Sequence, residues 1–291
     1  MGTTAEVQVA GLANPGPAQD AAFAALSRVD AALTLWQPSE LTRLNESGRA
    51  SVSPDLLAVL RHAIEVARES AGAFDPTIEP LVRACGGLGG PRRQVGDAEL
   101  KLLLARVGVA RVHLDAATAD VWLAPGTRLD FGGIAKGYAV DLALAALRDA
   151  GASSGLVDLG TSSLGVFGQP LRVEVRDPEG GAPWASFMLV DGALATSGGD
   201  QRPDHILDPR SGRPARQVLA ATVLARSGIE ADALSTAAFV LGARAGLALV
   251  ERRGAEGLVL RREGQRRVLY ATRGFAAARQ LATRPGILVR D

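Results

Sequence analysis

Apolar and polar positions alternate in TTAEVQVA near the start of the chain, which reads as a strand that Gly11 and the prolines up to Pro17 break. Apolar spacing of three and four then predicts an alanine-rich helix over residues 21–35, followed by a loop at WQPSELTRLN. A second helix is expected over 54–70, with Ser53 as N-cap, Pro54 at its first position and Gly72 past its end. AFDPTIEPLV leads into the glycine-rich turn GGLGGP, and 97–107 reads as a short helix. Two or three strands are expected over 110–133 with a turn at 116–119, and the next helical spacing covers 135–150.

Beyond residue 150 the pattern is that of strands, at GLVDLG, LGVFG, LRVEVRDP, ASFMLVDGALATSG and QVLAATVLA. One more helix is predicted over 229–250, and GLVLRR and RRVLYATRG read as closing strands. Strands and helices mix without a βαβ rhythm or an internal repeat. An α+β architecture with two interlocked lobes, one unit over 1–291, fits better than a doubly wound sheet.

Composition narrows the function classes. At 291 residues and 47% hydrophobic the chain can bury a large core, and its net charge of +1 offers no field for nucleic acid or an anionic membrane. Arginine supplies all but two of the 32 basic residues, so Lys136 stands out against the chain's own usage. Cys85 is the only cysteine, which excludes an internal disulfide and a thiolate metal cage. The chain shows no basic and apolar leader, no lipid-attachment cysteine and no apolar window of membrane-spanning length, and is expected to be soluble as written.

Four stretches carry chemistry. DFGGIAKG, Asp130 to Gly137, precedes a helix, where unpaired N–H groups and the positive helix end favour an anion such as phosphate. Lys136 adds a mobile charge there and Asp130 an acceptor; a tight turn closed by Asp130 is the other reading. It is not a P-loop, because Lys136 precedes a glycine instead of following one. In ADALSTAAFVLG, Asp232 and Thr236 stand four apart on a helix with Ser235 beside them, a set of hard oxygens suited to Mg²⁺. A dipole-favoured acid with a back-bonded threonine explains the same residues. In DHILDPRSGRPA, His205 is the only histidine outside regular structure, flanked by Asp204 and Asp208, and is the candidate general base; a surface turn is the plain alternative. AFDPTIEP is a rigid loop, and GTSSLG does not match the hydrolase pattern G-x-S-x-G.

In series, the MGT start, WQPSELTRLN, GAFDPTIEPLV, LDFGGIAKGYAVD, HILDPRSGRP, ADALSTAAFVLG and YATRGF resemble the FAD:protein FMN transferase (ApbE) family over nearly the whole chain. The resemblance implies an α+β fold holding FAD in a cleft. FAD contacts are implied at Met1, Trp36, Ala73, Phe74, Asp75, Asp130, Lys136 and Ile206. The implied Mg²⁺ positions are the Gly133 carbonyl and the side chains of Asp232 and Thr236, with Ser235 adjacent. The implied reaction splits FAD and moves FMN onto a Thr or Ser hydroxyl of an acceptor protein, releasing AMP. A homologue that stores FAD, and an FAD pyrophosphatase giving FMN and AMP, are the alternative readings. Two departures stand out: only DQRPD separates ATSGG from HILDP, and Thr161 occupies a position where the family has glycine. The family is usually exported to the cell envelope, whereas its core motif here begins at Met1.

Overall fold

The structure, a computed structural model, describes residues 2–160, 162–198 and 204–290. Its first half runs through β1 (Glu6–Ala10), α1 (Gly16–Leu33), α2 (Glu40–Ser47), β2 (Arg49–Ser51), α3 (Pro54–Glu69), α4 (Glu79–Ala84), α5 (Asp97–Leu104), β3 (Val112–Asp115), β4 (Asp120–Leu123) and α6 (Ala135–Asp149). The second half adds β5 (Ser154–Asp158), β6 (Ser163–Phe167), β7 (Leu171–Val175), β8 (Ala185–Leu189), β9 (Gly192–Gly198), β10 (Leu207–Asp208), β11 (Arg213–Pro214) and β12 (Ala220–Ala225). It then continues with α7 (Gly228–Leu241), α8 (Ala243–Arg252), β13 (Glu256–Glu263), β14 (Arg266–Ala271), α9 (Phe275–Ala278), β15 (Ala282–Thr283) and β16 (Ile287–Arg290). The α+β expectation holds.

An eight-stranded sheet in the order β1-β5-β6-β9-β12-β13-β14-β16 forms the middle layer, antiparallel except for the β14–β16 pair. Helices α6, α7 and α8 cover one face, with α1 packed on α6 and α3 on α7. Their apolar sides and that sheet face make one core running from Val7 to Val259. The small sheet β15-β8-β7 covers the other face around fully buried Trp184, Phe187 and Phe275. Sheet β2-β4-β3 and the β10-β11 pair complete the strands.

Helix α3 forms where the sequence places it. The Ser53 hydroxyl accepts from the Leu56 N–H, Pro54 occupies the first turn, and Leu56, Val59, Leu60, Ala63, Ile64 and Ala67 make a buried stripe. The stretch read as a loop after residue 35 instead contains α2. Ser39 and Thr42 exchange side-chain-to-backbone bonds in a capping box, and Gly48 ends the helix in the left-handed region at φ +69°. The single helix expected over 229–250 is two, because Gly242 turns the chain at φ +81° and lets α8 fold back on α7. A Cβ at Gly246 would stand 2.8 Å from the Ala238 Cα, so the two helices meet backbone to backbone. Only two strands, β3 and β4, form over 110–133, and residues 124–134 are an irregular crossing toward the cleft.

The joint between α6 and α7 is reciprocal. The Asp141 carboxylate of α6 accepts from Gly228 N at 2.5 Å and Ile229 N at 2.9 Å, satisfying the start of α7. In return Asp232 of α7 accepts from Gly137 N at 3.0 Å. Glycine at 137 is required for this, since a Cβ would lie 1.9 Å from the Gly228 carbonyl oxygen.

An ion cluster fixes the outer side of the same helix start. Glu230 pairs with Arg253 at 2.7 Å and with His62 at 2.7 Å. Burial opposes its ionisation, but the hydrogen bonds and charges of Arg253 and His62 outweigh that and lower the carboxyl to about 2. The folded value lies below the unfolded one, so this stabilisation is complete above the ordinary glutamate range and is lost as pH falls toward about 2. Glu230→Gln should therefore remove a contribution of about 3 kcal/mol at neutral pH. Denaturant unfolding of both proteins between pH 7 and pH 2 checks this. Their stability difference should shrink on acidification, and a pH-independent difference would show that Glu230 is not the titrating group.

Candidate active site

A cleft of about 1810 Å³ runs across the ends of β6 and β9. That exceeds the ~300–1,000 Å³ of ordinary small-molecule sites. One wall comes from the loop after α1, the loop before α4 and the start of α6; the other comes from β9, the 204–216 loop and α7. Trp36 stands 60% exposed in this wall, a flat apolar surface presented to the cleft and not a plug of the core. Phe74 is only 5% exposed and belongs mainly to the core, its ring edge reaching toward Gly133. Ala73 and Asp75 line the same wall. The Asp75 carboxylate is committed to its own loop, accepting from Thr77 N, the Thr77 hydroxyl and Val109 N. Burial raises its carboxyl above the ordinary range despite those bonds.

The 130–137 segment forms a turn that delivers α6 to the cleft. Asp130 Oδ1 accepts from Gly132 N at 2.7 Å, and Lys136 Nζ donates to the Gly132 carbonyl at 3.1 Å. Asp130 thus closes its own turn, while Ile134 is the helix N-cap. Desolvation raises the Asp130 carboxyl, with Gly132 N–H and Lys136 acting against it. Part of the expected unpaired N–H set is used internally: Ile134 and Ala135 donate to Phe131 and Gly137 donates to Asp232.

On α7, Asp232 and Thr236 both line the cleft. Gly133 sits against Thr236, where a Cβ would come 2.9 Å from the Thr236 hydroxyl. One Asp232 oxygen takes the Gly137 N–H, and among the described residues no hydrogen bond engages the other. Asp232 and Thr236 therefore face the cleft beside the Gly133 turn, two side-chain oxygen donors with a single carboxylate. Their chemistry fits a divalent cation such as Mg²⁺, which takes few protein ligands and fills its shell with water and phosphate oxygens. Ser235 is fully buried and turned toward β9, bonded to Ser197 and to the Asp232 carbonyl, so it backs this group from behind.

His205 is exposed at the cleft margin and Ile206 lines the cleft half-buried. Asp204 forms a two-pronged pair with Arg216, and Asp208 one with Arg210. Each of these acids is thus engaged by an arginine. Met1, Thr161 and most of the DQRPD segment lie outside the described residues. Two contributors escaped the sequence reading, Asp141 and Ser197. The period-two alternation of β9 was the available signal for Ser197, since it places that side chain on the α7 face.

This architecture is that of flavin transferases among solved structures. Flavin transferase ApbE from Vibrio cholerae superimposes with a TM-score of 0.84 at 27% identity, covering 95% of this chain and 96% of that one. The ApbE protein of Thermotoga maritima gives 0.83 at 30% identity, covering 89% and 91%. The chain belongs to the ApbE family, whose model matches residues 1–259. It is 31% identical over 277 residues to the FAD:protein FMN transferase of Vibrio cholerae, covering 86% of this chain and 82% of that protein. The corresponding Rhodobacter capsulatus protein is 36% identical over 225 residues, 71% of this chain but only 43% of its own length.

Proposed function

We propose that this chain moves FMN from FAD to a Thr or Ser hydroxyl of an acceptor protein and releases AMP, with Mg²⁺ at Gly133, Asp232 and Thr236. Family membership and the chemistry of the cleft support the reading, and the convergence of Asp232 and Thr236 on the Gly133 turn carries the metal part. Trp36 offers the isoalloxazine a flat face, with Ala73, Phe74, Asp75 and Ile206 around it. Asp130 supplies an acceptor and Lys136 a cation to the ligand's polar part. Bound magnesium would neutralise charge on the diphosphate and orient it for in-line displacement. The acceptor oxygen bonds to the FMN phosphorus as the bond to the AMP phosphate breaks, and His205 takes the hydroxyl proton.

The deciding experiment incubates the protein with FAD, Mg²⁺ and a candidate acceptor, followed by intact-mass measurement. An acceptor heavier by one FMN less one water supports transfer. FMN and AMP appearing with no change in acceptor mass would mark a pyrophosphatase, and FAD recovered intact would mark a carrier.

A further inference from the structure

We infer that Ser197 is a positioning residue that aims the Thr236 hydroxyl oxygen at the cation, through a hydrogen-bond chain whose proton directions are fixed at its far end. This rests on the metal reading above. Three hydroxyls meet between β9 and α7: Ser197 Oγ lies 2.9 Å from Ser235 Oγ and 3.3 Å from Thr236 Oγ1. A hydroxyl has one proton to donate and two lone pairs to accept with. Ser235 spends its proton on the Asp232 carbonyl oxygen at 2.9 Å, an acceptor that cannot donate. Towards Ser197 it can therefore only accept, so Ser197 spends its own proton on Ser235. Towards Thr236 Ser197 can then only accept, and the Thr236 proton points at Ser197.

The chain runs Thr236 to Ser197 to Ser235 to the Asp232 carbonyl, and each hydroxyl donates once. Its consequence falls on Thr236. A threonine in a helix commonly turns its proton back on the preceding turn's carbonyl. Here the proton is drawn toward the sheet, which leaves the oxygen lone pairs on the side of Gly133 and the cleft. The same chain ends on the backbone of Asp232, the other side-chain donor, whose carboxylate is set by Gly137 N. Both donors are thereby oriented before a cation arrives. Ser235 is fully buried and acts through the chain, not as a ligand.

The test measures Mn²⁺ affinity, as a spectroscopic stand-in for Mg²⁺, by the electron paramagnetic resonance signal of free Mn²⁺ with ADP present. Ser197→Ala, Ser197→Thr and Ser235→Ala are compared with the full-length protein, alongside thermal unfolding without metal. Ser197→Ala is expected to weaken Mn²⁺ binding by about 10-fold, the lower end of outer-shell effects. Ser197→Thr, which keeps the hydroxyl, should restore it, and Ser235→Ala should weaken it as well. Wild-type affinity in Ser197→Ala overturns the inference, as does equal weakening in Ser197→Ala and Ser197→Thr, which would make the position one of packing only. Should Ser197→Ala not fold, unchanged affinity in Ser235→Ala overturns it alone. No Mn²⁺ binding by the unmodified protein would instead remove the metal reading on which the inference stands.

Discussion

Asp232→Asn is expected to lose at least about 100-fold in metal-dependent transfer, the upper end of what even the loss of an outer-shell partner costs a metal site. The asparagine keeps an oxygen for the Gly137 N–H but removes the only carboxylate of the donor group. Asp232→Ala should cost transfer as fully and also stability, because it leaves the buried Gly137 N–H without its acceptor. An unmet donor of that kind costs about 1–3 kcal/mol. The structure shows an acid that is 3% exposed and joins two helices. Transfer by intact mass under limiting Mg²⁺, with denaturant unfolding of each variant, separates the two effects. Asp232→Asn working at the wild-type rate under limiting metal would end the assignment of Asp232 to the cation.

The parts of the fold written in local chemistry could be read from the sequence, and the parts made by distant contacts could not. Helix α3 has its serine cap, its proline and a full apolar stripe within its own residues, and its limits follow. Helix α2 was hidden because its cap is a Ser39/Thr42 pair without the usual acidic or amide residue, and only eight residues follow. The break at Gly242 was hidden because apolar residues continue on both sides, and periodicity does not register a left-handed glycine. At the site, residue types were legible and their partners were not. Asp130, Lys136, Asp232 and Thr236 stand out by type and spacing, and the cleft does bring them to one place. Asp141, which caps α7 from 87 residues away, and Ser197, which meets α7 from the facing strand β9, are ordinary residues until the chain folds. The pairing of Asp204 with Arg216 crosses only a loop, yet it changes what His205 can be.

That pairing sets the terms of the His205 experiment. An acid beside a histidine normally orients the ring and stabilises its charged form. Here Arg216 holds the Asp204 carboxyl below its ordinary range. At Asp208 burial works against ionisation, but the Arg210 side chain and backbone N–H prevail and lower that carboxyl too. His205 therefore stands between two neutralised ion pairs on the cleft margin. Histidine is the side chain whose ordinary titration falls between about pH 5 and 8, which suits it to take a proton from an acceptor hydroxyl near neutrality. His205→Ala is expected to lower transfer by about 10²–10⁴-fold, the range typical of general acid–base catalysis, while FAD affinity stays near wild type. The acid limb of the pH–rate profile should flatten in the variant, because the group that must lose its proton there is gone. Steady-state transfer across pH and FAD fluorescence titration supply the two readouts. A wild-type transfer rate would take His205 out of the mechanism, and a parallel loss of FAD affinity would make it a holder of the 204–216 loop. A loss confined to the catalytic step leaves proton removal as its role, carried out at an exposed position where an incoming protein hydroxyl can reach it.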